Sequence, residues 1–138
     1  MDSKYHLLSS VTVGFLSGFA VGAPPEQLLA LMGYAAVLGV GIDLDHFLLA
    51  RYHTGTWRAL RGCLRDPRLV LFEQDAIFRV GEVGRLHRLL SHVIHAGVLT
   101  AALAFLEPSL AALTAAVLYV HVLLDLAQDV RDVGHEPG

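Results

Sequence analysis

The sequence is poor in cysteine and in charged residues. Its 138 residues include a single cysteine, Cys63, which excludes an internal disulfide framework and a zinc site built from cysteines. Charged residues make up 17% of the chain and hydrophobic residues 54%, and the mean hydropathy is +0.55. This is more apolar than the core of a soluble domain requires. The length predicts one domain, residues 1–138, and the composition predicts that this domain lies in a membrane.

Four apolar stretches approach or reach the roughly 17–25 helical residues that cross a bilayer. They cover residues 7–23, 28–50, 89–106 and 110–127. The first two are joined by a short link around Pro24 and Pro25, and the last two by a link around Pro108. Both links combine helix breakers with helix-starting residues. The sequence therefore predicts an all-α fold, a four-helix transmembrane bundle made of two helical hairpins.

Small residues recur at helical spacings in the first two apolar stretches. They are Gly14, Ser17, Gly18 and Gly22 in the first stretch, and Gly33, Gly39 and Gly41 in the second. In lipid, such residues allow two helix backbones to approach closely. The pattern favours a compact bundle.

The basic residues give the bundle an orientation. Lys4 lies in the N-terminal tail, eight arginines lie in residues 51–88 and Arg131 lies in the C-terminal tail, whereas the two short links contain none. By the positive-inside rule, both tails and the central segment are cytoplasmic. Glu26 and Glu107 then lie on the outer face. We expect a multi-pass protein of the cell (inner) membrane with both termini cytoplasmic.

The central segment, residues 51–88, is the only sizeable extramembrane piece. Trp57, Leu60 and Leu64 recur at helical spacing with arginines between them, which predicts an amphipathic helix at the lipid headgroups. Leu71 and Phe72 continue the apolar pattern. A second interpretation is that the arginines only fix the topology beside anionic lipid. The expected partners are membrane lipid and anionic headgroups and not nucleic acid, and a homo-oligomer is left open.

Histidines and aspartates gather toward the cytoplasmic end of every predicted span. Ionisable groups within apolar spans are costly and are treated as functional by default. Asp43 and His46 are three residues apart, and His121 and Asp125 are four apart, so each pair shares a helix face. Imidazole and carboxylate are common ligands of zinc and other divalent metals. The candidate ligands of one or two ions are His6, Asp43, Asp45, His46, His87, His92, His121 and Asp125.

Other histidines and one further aspartate have less clear roles. His87 and His92 are five residues apart and point in different directions on a continuous helix, so convergence requires His87 to lie in the loop or in a frayed first turn. His95 shares the face of His92 and is a further candidate. His53 and His135, in the loop and the tail, are predicted to be solvated, as is Asp129.

Four motifs together resemble a known family. They are His6, then Gly-Ile-Asp-Leu-Asp-His at 41–46, His-Arg-Leu-Leu-Ser-His at 87–92 and His-Val-Leu-Leu-Asp at 121–125. Their order is similar to that of the YdjM-like family of LexA-regulated, membrane-bound, predicted metal-dependent hydrolases. The resemblance spans nearly the whole chain and implies a divalent metal site formed by the eight candidate ligands.

The chain departs from the family pattern around its ligands. Leu89 stands where the third motif has glycine, Ser91 where it has threonine and Val93 where it has serine. The threonine and glycine that follow the last aspartate in the family are also absent. The ligand set therefore matches better than its surroundings, which favours a divergent member.

These observations predict a membrane-embedded, metal-dependent hydrolase at the cytoplasmic face, acting on a phosphoester or ester of an amphipathic substrate. Zinc is the expected ion. It would lower the pKa of its bound water to about 7, and Asp45 is the candidate general base. Two other classes stay open: a metal or proton transport component, and a non-catalytic membrane scaffold.

Overall fold

The protein is all-helical throughout the residues that the structure, a computed structural model, describes: 3–66, 68–69, 77–79 and 81–133. The helices are α1 (Ser3–Ala20), α2 (Pro25–Gly41), α3 (Asp45–Thr54), α4 (Arg58–Arg65), α5 (Arg85–Leu106) and α6 (Pro108–Val133). No strand occurs in these ranges. The predicted all-α class is confirmed. Leu71, Phe72 and His135 lie outside the described residues.

The second apolar stretch is not one uniform helix. A 3-10 turn, Ile42–Leu44, separates α2 from α3. Gly39, Gly41 and Asp43 are weak helix formers, which is consistent with an α-helix that tightens here. The 30 residues Pro25–Thr54 still run in one direction. Pro25 lies in the first turn of α2, and Gly55, with a φ of 70°, ends α3. The interruption lies among the predicted metal ligands.

The helices pack as two hairpins joined through α6. α1 packs along α2, α5 packs along α6, and α6 also contacts α1 and α2. Gly39 allows α1 to lie close, because a Cβ at this position would overlap the Ser10 hydroxyl. A Cβ at Gly14 would lie 2.9 Å from that of Ala35. The predicted close approach is confirmed at these glycines, whereas a Cβ at Gly33 would have no neighbour within 4 Å.

Three stretches are long and apolar enough to cross a bilayer, namely Pro25–Thr54, Arg85–Leu106 and Pro108–Asp132. Only 11% and 6% of the apolar windows of the first two are buried within the protein. Apolar surface on that scale indicates a membrane protein. α1 is not among the three stretches, and its sequence contains several serines, a threonine and Lys4. A fourth span over residues 7–23 therefore stays a prediction.

Two small apolar cores hold the ends of the bundle. We call the end that carries the short links the hairpin end, and the end that carries residues 51–84 the loop end. Toward the hairpin end, Ala35, Leu113 and Val117 are buried together. At the loop end, α4 buries Ala59 and Cys63 against Ile77, and burial raises the pKa of the Cys63 thiol. The predicted amphipathic helix exists as α4, with its Leu64 side chain exposed.

Candidate metal centre

The 3-10 turn brings two predicted ligands into line. Side chains three residues apart nearly eclipse one another in this conformation, whereas in an α-helix they share a face but are offset by about 60° around the axis. Asp43 lies in the turn and His46 in the first turn of α3, and Asp43 Oδ1 lies 3.7 Å from His46 Nε2. Asp45, between them, lies close to histidines of both α3 and α5. Its Oδ1 is 3.7 Å from His46 Nε2. Its Oδ2 lies 2.9 Å from His92 Nδ1 on α5.

Five parts of the fold meet at this point. The residues are His6 in α1, Asp43 in the 3-10 turn, Asp45 and His46 in α3, His92 in α5, and His121 and Asp125 in α6. His6, His92, His121 and Asp125 are at most 1% exposed. Seven of the eight predicted ligands therefore come together at the loop end of the bundle.

Asp43 Oδ1 is the atom around which the imidazoles gather. It lies 3.3 Å from His92 Nε2, 3.3 Å from His121 Nε2 and 3.7 Å from His46 Nε2. Ligand bonds of 2.0–2.1 Å in a tetrahedral site place the ligand atoms about 3.3–3.4 Å from one another. The observed separations are close to that spacing.

Asp125 forms the second carboxylate of the centre. Its Oδ1 lies 3.2 Å from His6 Nε2, and its Oδ2 lies 3.5 Å from His92 Nε2 and 3.6 Å from His121 Nε2. The His6 and His121 rings stack with their centroids 3.8 Å apart. The i,i+4 spacing of His121 and Asp125 places both on the face of α6 that is buried here.

The ligand atoms fall into two overlapping groups. One contains His6, Asp43, His121 and Asp125, and the other contains Asp43, His46 and His92. Within each group the ligand atoms all lie within 4.8 Å of one another. Asp43 belongs to both groups. The arrangement therefore fits one ion or a pair of ions that share Asp43.

The donors themselves test whether a metal ion fits. Several buried nitrogens and oxygens at the centre have no hydrogen-bond partner; they are His6 Nδ1, Asp43 Oδ1, Asp45 Oδ1, His46 Nε2, His92 Nε2 and both ring nitrogens of His121. Leaving such atoms unsatisfied costs about 1–3 kcal/mol each. A divalent cation would bind several of these atoms at once, because imidazole nitrogens and carboxylate oxygens are among its usual ligands. The residues present fit a nitrogen- and oxygen-ligated metal.

Asp45 fixes the orientation of His92. The hydrogen bond between His92 Nδ1 and Asp45 Oδ2 makes Nδ1 the protonated nitrogen, so that His92 donates to the carboxylate. The lone pair of His92 Nε2 then points toward Asp43 and Asp125. Carboxylates commonly hold metal-binding histidines in this way. The geometry is consistent with a positioning role for Asp45, and its role as general base stays a prediction.

Sequence reasoning missed one charged residue at the centre. Arg88 donates through Nη2 to both carboxylate oxygens of Asp129 at 2.8 Å, and its Nε lies 3.8 Å from Asp125 Oδ2. The Asp129 side chain is 13% exposed, so the expectation that it is solvated was wrong. The signal was the spacing, since Arg88 precedes His92 by four residues and Asp129 follows Asp125 by four.

The structure does not bring His87 to the centre. His87 is exposed and belongs to neither ligand group. Its ring contacts that of His53, which in turn bonds through Nδ1 to the Glu82 carbonyl at 2.9 Å. Because His87 is in the first turn of α5, five residues before His92, it points in another direction. His95, the further candidate, is 52% exposed and bonds to the Ser91 carbonyl in its own helix.

The centre is open on one side and closed by apolar packing on the other. Asp43 and His46 are 17% and 16% exposed, whereas the remaining imidazoles of the two groups are at most 1% exposed. Val117, one turn before His121, and Leu113, about two turns before it, belong to the buried apolar core. A small molecule would therefore reach the centre past Asp43 and His46.

Comparison of the chain with family models, with curated proteins and with solved structures gives no match. The resemblance of the four motifs to the YdjM-like family therefore stays a prediction.

Proposed function

We propose that the protein is a membrane-embedded hydrolase that depends on a divalent metal, with zinc as the first choice. The observation that carries the proposal is the convergence of imidazoles from α3, α5 and α6 within 3.3–3.7 Å of Asp43 Oδ1. Nitrogen and oxygen donors at tetrahedral spacing suit zinc. The three membrane-length stretches support a membrane location, and the arginine distribution supports the cytoplasmic face.

The residues around the centre support turnover in addition to binding. A divalent ion supplies Lewis-acid polarisation of a substrate oxygen and activation of water at neutral pH. Asp45 holds His92 in one tautomer, and Arg88 lies between Asp129 and Asp125. The exposed edge at Asp43 and His46 admits a substrate from the loop end. We propose a phosphoester or ester of an amphipathic molecule, because such a substrate would already lie at the membrane surface.

A transport pathway has less support than hydrolysis. A relay across the membrane would continue with ionisable side chains from the centre to the hairpin end. In the described residues, the bundle interior beyond His121 holds Val117 and Leu113 and a hydrogen bond between the hydroxyls of Tyr34 and Thr114. Glu26 and Glu107, at the hairpin end, are exposed. No carboxylate or imidazole of these residues links the two ends.

Metal content tests the binding half of the proposal. The protein is purified in mild detergent without chelator, and its metals are measured by plasma mass spectrometry for wild type, His121→Ala and His87→Ala. We expect one or two divalent ions per chain in wild type, a loss of most of that metal in His121→Ala, and no change in His87→Ala. Equal loss from both variants would contradict the ligand set that the structure brings together.

Activity tests the catalytic half. Metal-loaded protein is incubated with phosphoesters and carboxyl esters that carry one alkyl chain, and product formation is followed with and without chelator. We expect hydrolysis that chelation abolishes and added metal restores. Stoichiometric metal without turnover of either substrate class would leave a metal-binding membrane protein and reject the hydrolase.

A further inference from the structure

A second polar region lies at the loop end, outside the metal centre. It is a pocket of about 650 Å³ that contains four arginines, Arg58, Arg61, Arg65 and Arg79, and one acidic residue, Glu82. Among the described residues that line it, four positive charges against one negative charge leave an excess of three. None of these residues belongs to either metal-ligand group. We call this region the arginine pocket.

The fold holds three of the arginines on one face of α4. Arg58, Arg61 and Arg65 are spaced i, i+3 and i+7, which places them within one stripe of an α-helix. The opposite face buries Ala59 and Cys63 in the small core at the loop end. The helix therefore cannot turn its arginines away from the pocket without exposing that core. Like charges at these spacings repel one another.

Glu82 does not neutralise the pocket. Its Oε2 accepts hydrogen bonds from Arg58 Nη2 at 2.7 Å and from the Arg79 backbone N–H at 3.0 Å. Arg58 also donates to the Ile77 carbonyl at 3.2 Å. The charge of Glu82 is thus used to anchor one arginine, and no described carboxylate forms an ion pair with the guanidinium groups of Arg61, Arg65 or Arg79.

The remaining lining is suited to a polar ligand. Thr54 and Thr56 contribute hydroxyl groups at the end of α3. Gly62 lies on the arginine stripe, and a Cβ there would meet nothing within 4 Å, so that the space between Arg61 and Arg65 is left open. A guanidinium group donates two parallel hydrogen bonds to a phosphate, and several guanidinium groups around one cavity suit an anion of more than one charge.

We propose that the arginine pocket binds the phosphate group of a small phosphorylated molecule, either a lipid headgroup that carries a phosphomonoester or a water-soluble phosphate compound. The volume is that of a small-molecule site, larger than phosphate alone requires. The proposal does not depend on the metal centre, because the two regions share no residue. It assigns the arginines a specific ligand in place of a diffuse attraction to anionic lipid.

Binding of radiolabelled inorganic pyrophosphate tests the pocket, with the full chain in nanodiscs of phosphatidylcholine. Wild type is compared with Arg61→Gln/Arg65→Gln and with Gly62→Glu, which adds a negative side chain in open space. Arg68→Gln, outside the pocket, is the control. We expect saturable binding that is at least about tenfold weaker in both pocket variants and unchanged in the control. His121→Ala, which alters the metal centre, should bind like wild type.

The lipid composition distinguishes the two sources of phosphate. Nanodiscs that contain phosphatidic acid are compared with discs that contain the same fraction of phosphatidylglycerol, which has the anionic charge but no phosphomonoester. Competition by phosphatidic acid alone identifies a lipid headgroup, and equal binding in all discs identifies a soluble compound. The proposal is overturned if Arg68→Gln weakens binding as much as the pocket variants, if His121→Ala abolishes it, or if pyrophosphate shows no saturable binding.

Discussion

The metal centre and the arginine pocket both concentrate charge at the loop end of the bundle, but they differ in burial. At the metal centre, His92 and His121 are at most 1% exposed, and several buried donor atoms have no hydrogen-bond partner. In the arginine pocket, Arg61, Arg65 and Arg79 are exposed to solvent. Water satisfies an exposed guanidinium, whereas a buried imidazole needs a partner within the protein or an ion.

The difference in burial predicts how each region couples to folding. A metal ion bound at the buried centre would stabilise the native chain, because a ligand that binds only the folded state adds its binding free energy to stability. Loss of an arginine at the exposed pocket should change ligand binding and leave stability nearly unchanged, since isolated surface charges contribute little. We therefore expect substitutions at the buried centre to lower both metal binding and stability, and substitutions in the arginine pocket to change ligand binding alone.

The largest effect is expected at Asp43, which both ligand groups share. Asp43→Asn removes the negative charge with little change in shape. We expect loss of nearly all bound metal and a lower melting temperature in mild detergent, measured by plasma mass spectrometry and by thermal unfolding. The control is Glu26→Gln, which removes an exposed carboxylate at the hairpin end. Metal retained at the wild-type level in Asp43→Asn would remove Asp43 from the centre.

Asp45→Asn separates the two roles considered for this residue. If Asp45 positions His92 through the 2.9 Å hydrogen bond, its loss should weaken metal affinity about 10- to 100-fold. Affinity is measured by competition with a chromogenic chelator. A general base would instead leave metal affinity intact and reduce only turnover, so that unchanged affinity with lost hydrolysis would restore the prediction from the sequence.

Gly39→Ala tests whether close helix packing holds His6 in place. The added Cβ would overlap the Ser10 side chain, one turn after His6 in α1. Overpacking of this kind costs about 1–3 kcal/mol. We expect a lower free energy of unfolding and weaker metal binding. Gly33→Ala meets no neighbour and should be neutral or stabilising; equal destabilisation by both substitutions would contradict the packing argument.

The smallest effect is expected from Glu82→Gln at the edge of the arginine pocket. Burial alone raises the pKa of Glu82, but the hydrogen bonds from Arg79 and Arg58 outweigh it and place the pKa below its ordinary value of 4.5. A lowered folded-state pKa stabilises the fold above the unfolded pKa and loses that contribution as pH falls through the folded value. The substitution should therefore cost about 1 kcal/mol or less near neutral pH.

Thermal unfolding of Glu82→Gln at neutral and acidic pH checks this sign. The loss in free energy of unfolding relative to wild type should be largest at pH 7. It should shrink below about pH 4.5, where the unfolded chain begins to take up the proton. A difference that grows toward acidic pH would contradict the role of Glu82 as a charged anchor for Arg58.

The sequence predicts the composition of the metal centre better than its geometry. Apolar length and charge distribution predict the helices, and polar residues at the same depth predict that His6, His92 and His121 converge. The 3-10 turn at Asp43 could not be read from the spacing, because residues three apart share a face in a continuous α-helix as well. Around that turn, Asp43 contacts the Nε2 atoms of His92 and His121, whereas Asp45 contacts His92 Nδ1.

Charged residues outside the motifs were the hardest to place. Arg88 and Asp129 were assigned to topology and to solvent, since neither side chain alone differs from an ordinary surface charge. The spacing of four residues places Arg88 on the face of His92 and Asp129 on the face of Asp125, but their pairing also depends on the long-range contact between α5 and α6. His87 shows the reverse case, because its motif suggested ligation while the direction of the first turn of α5 points it toward His53.

X-ray absorption spectroscopy at the edge of the metal bound to purified wild-type protein identifies the atoms that bind it. We expect a first shell of nitrogen and oxygen atoms at about 2.0–2.1 Å, with the outer-shell scattering typical of several imidazole rings. A first shell at about 2.3 Å would indicate sulfur and hence Cys63. That result, or a shell without imidazole scattering, would contradict a centre formed by the buried histidines.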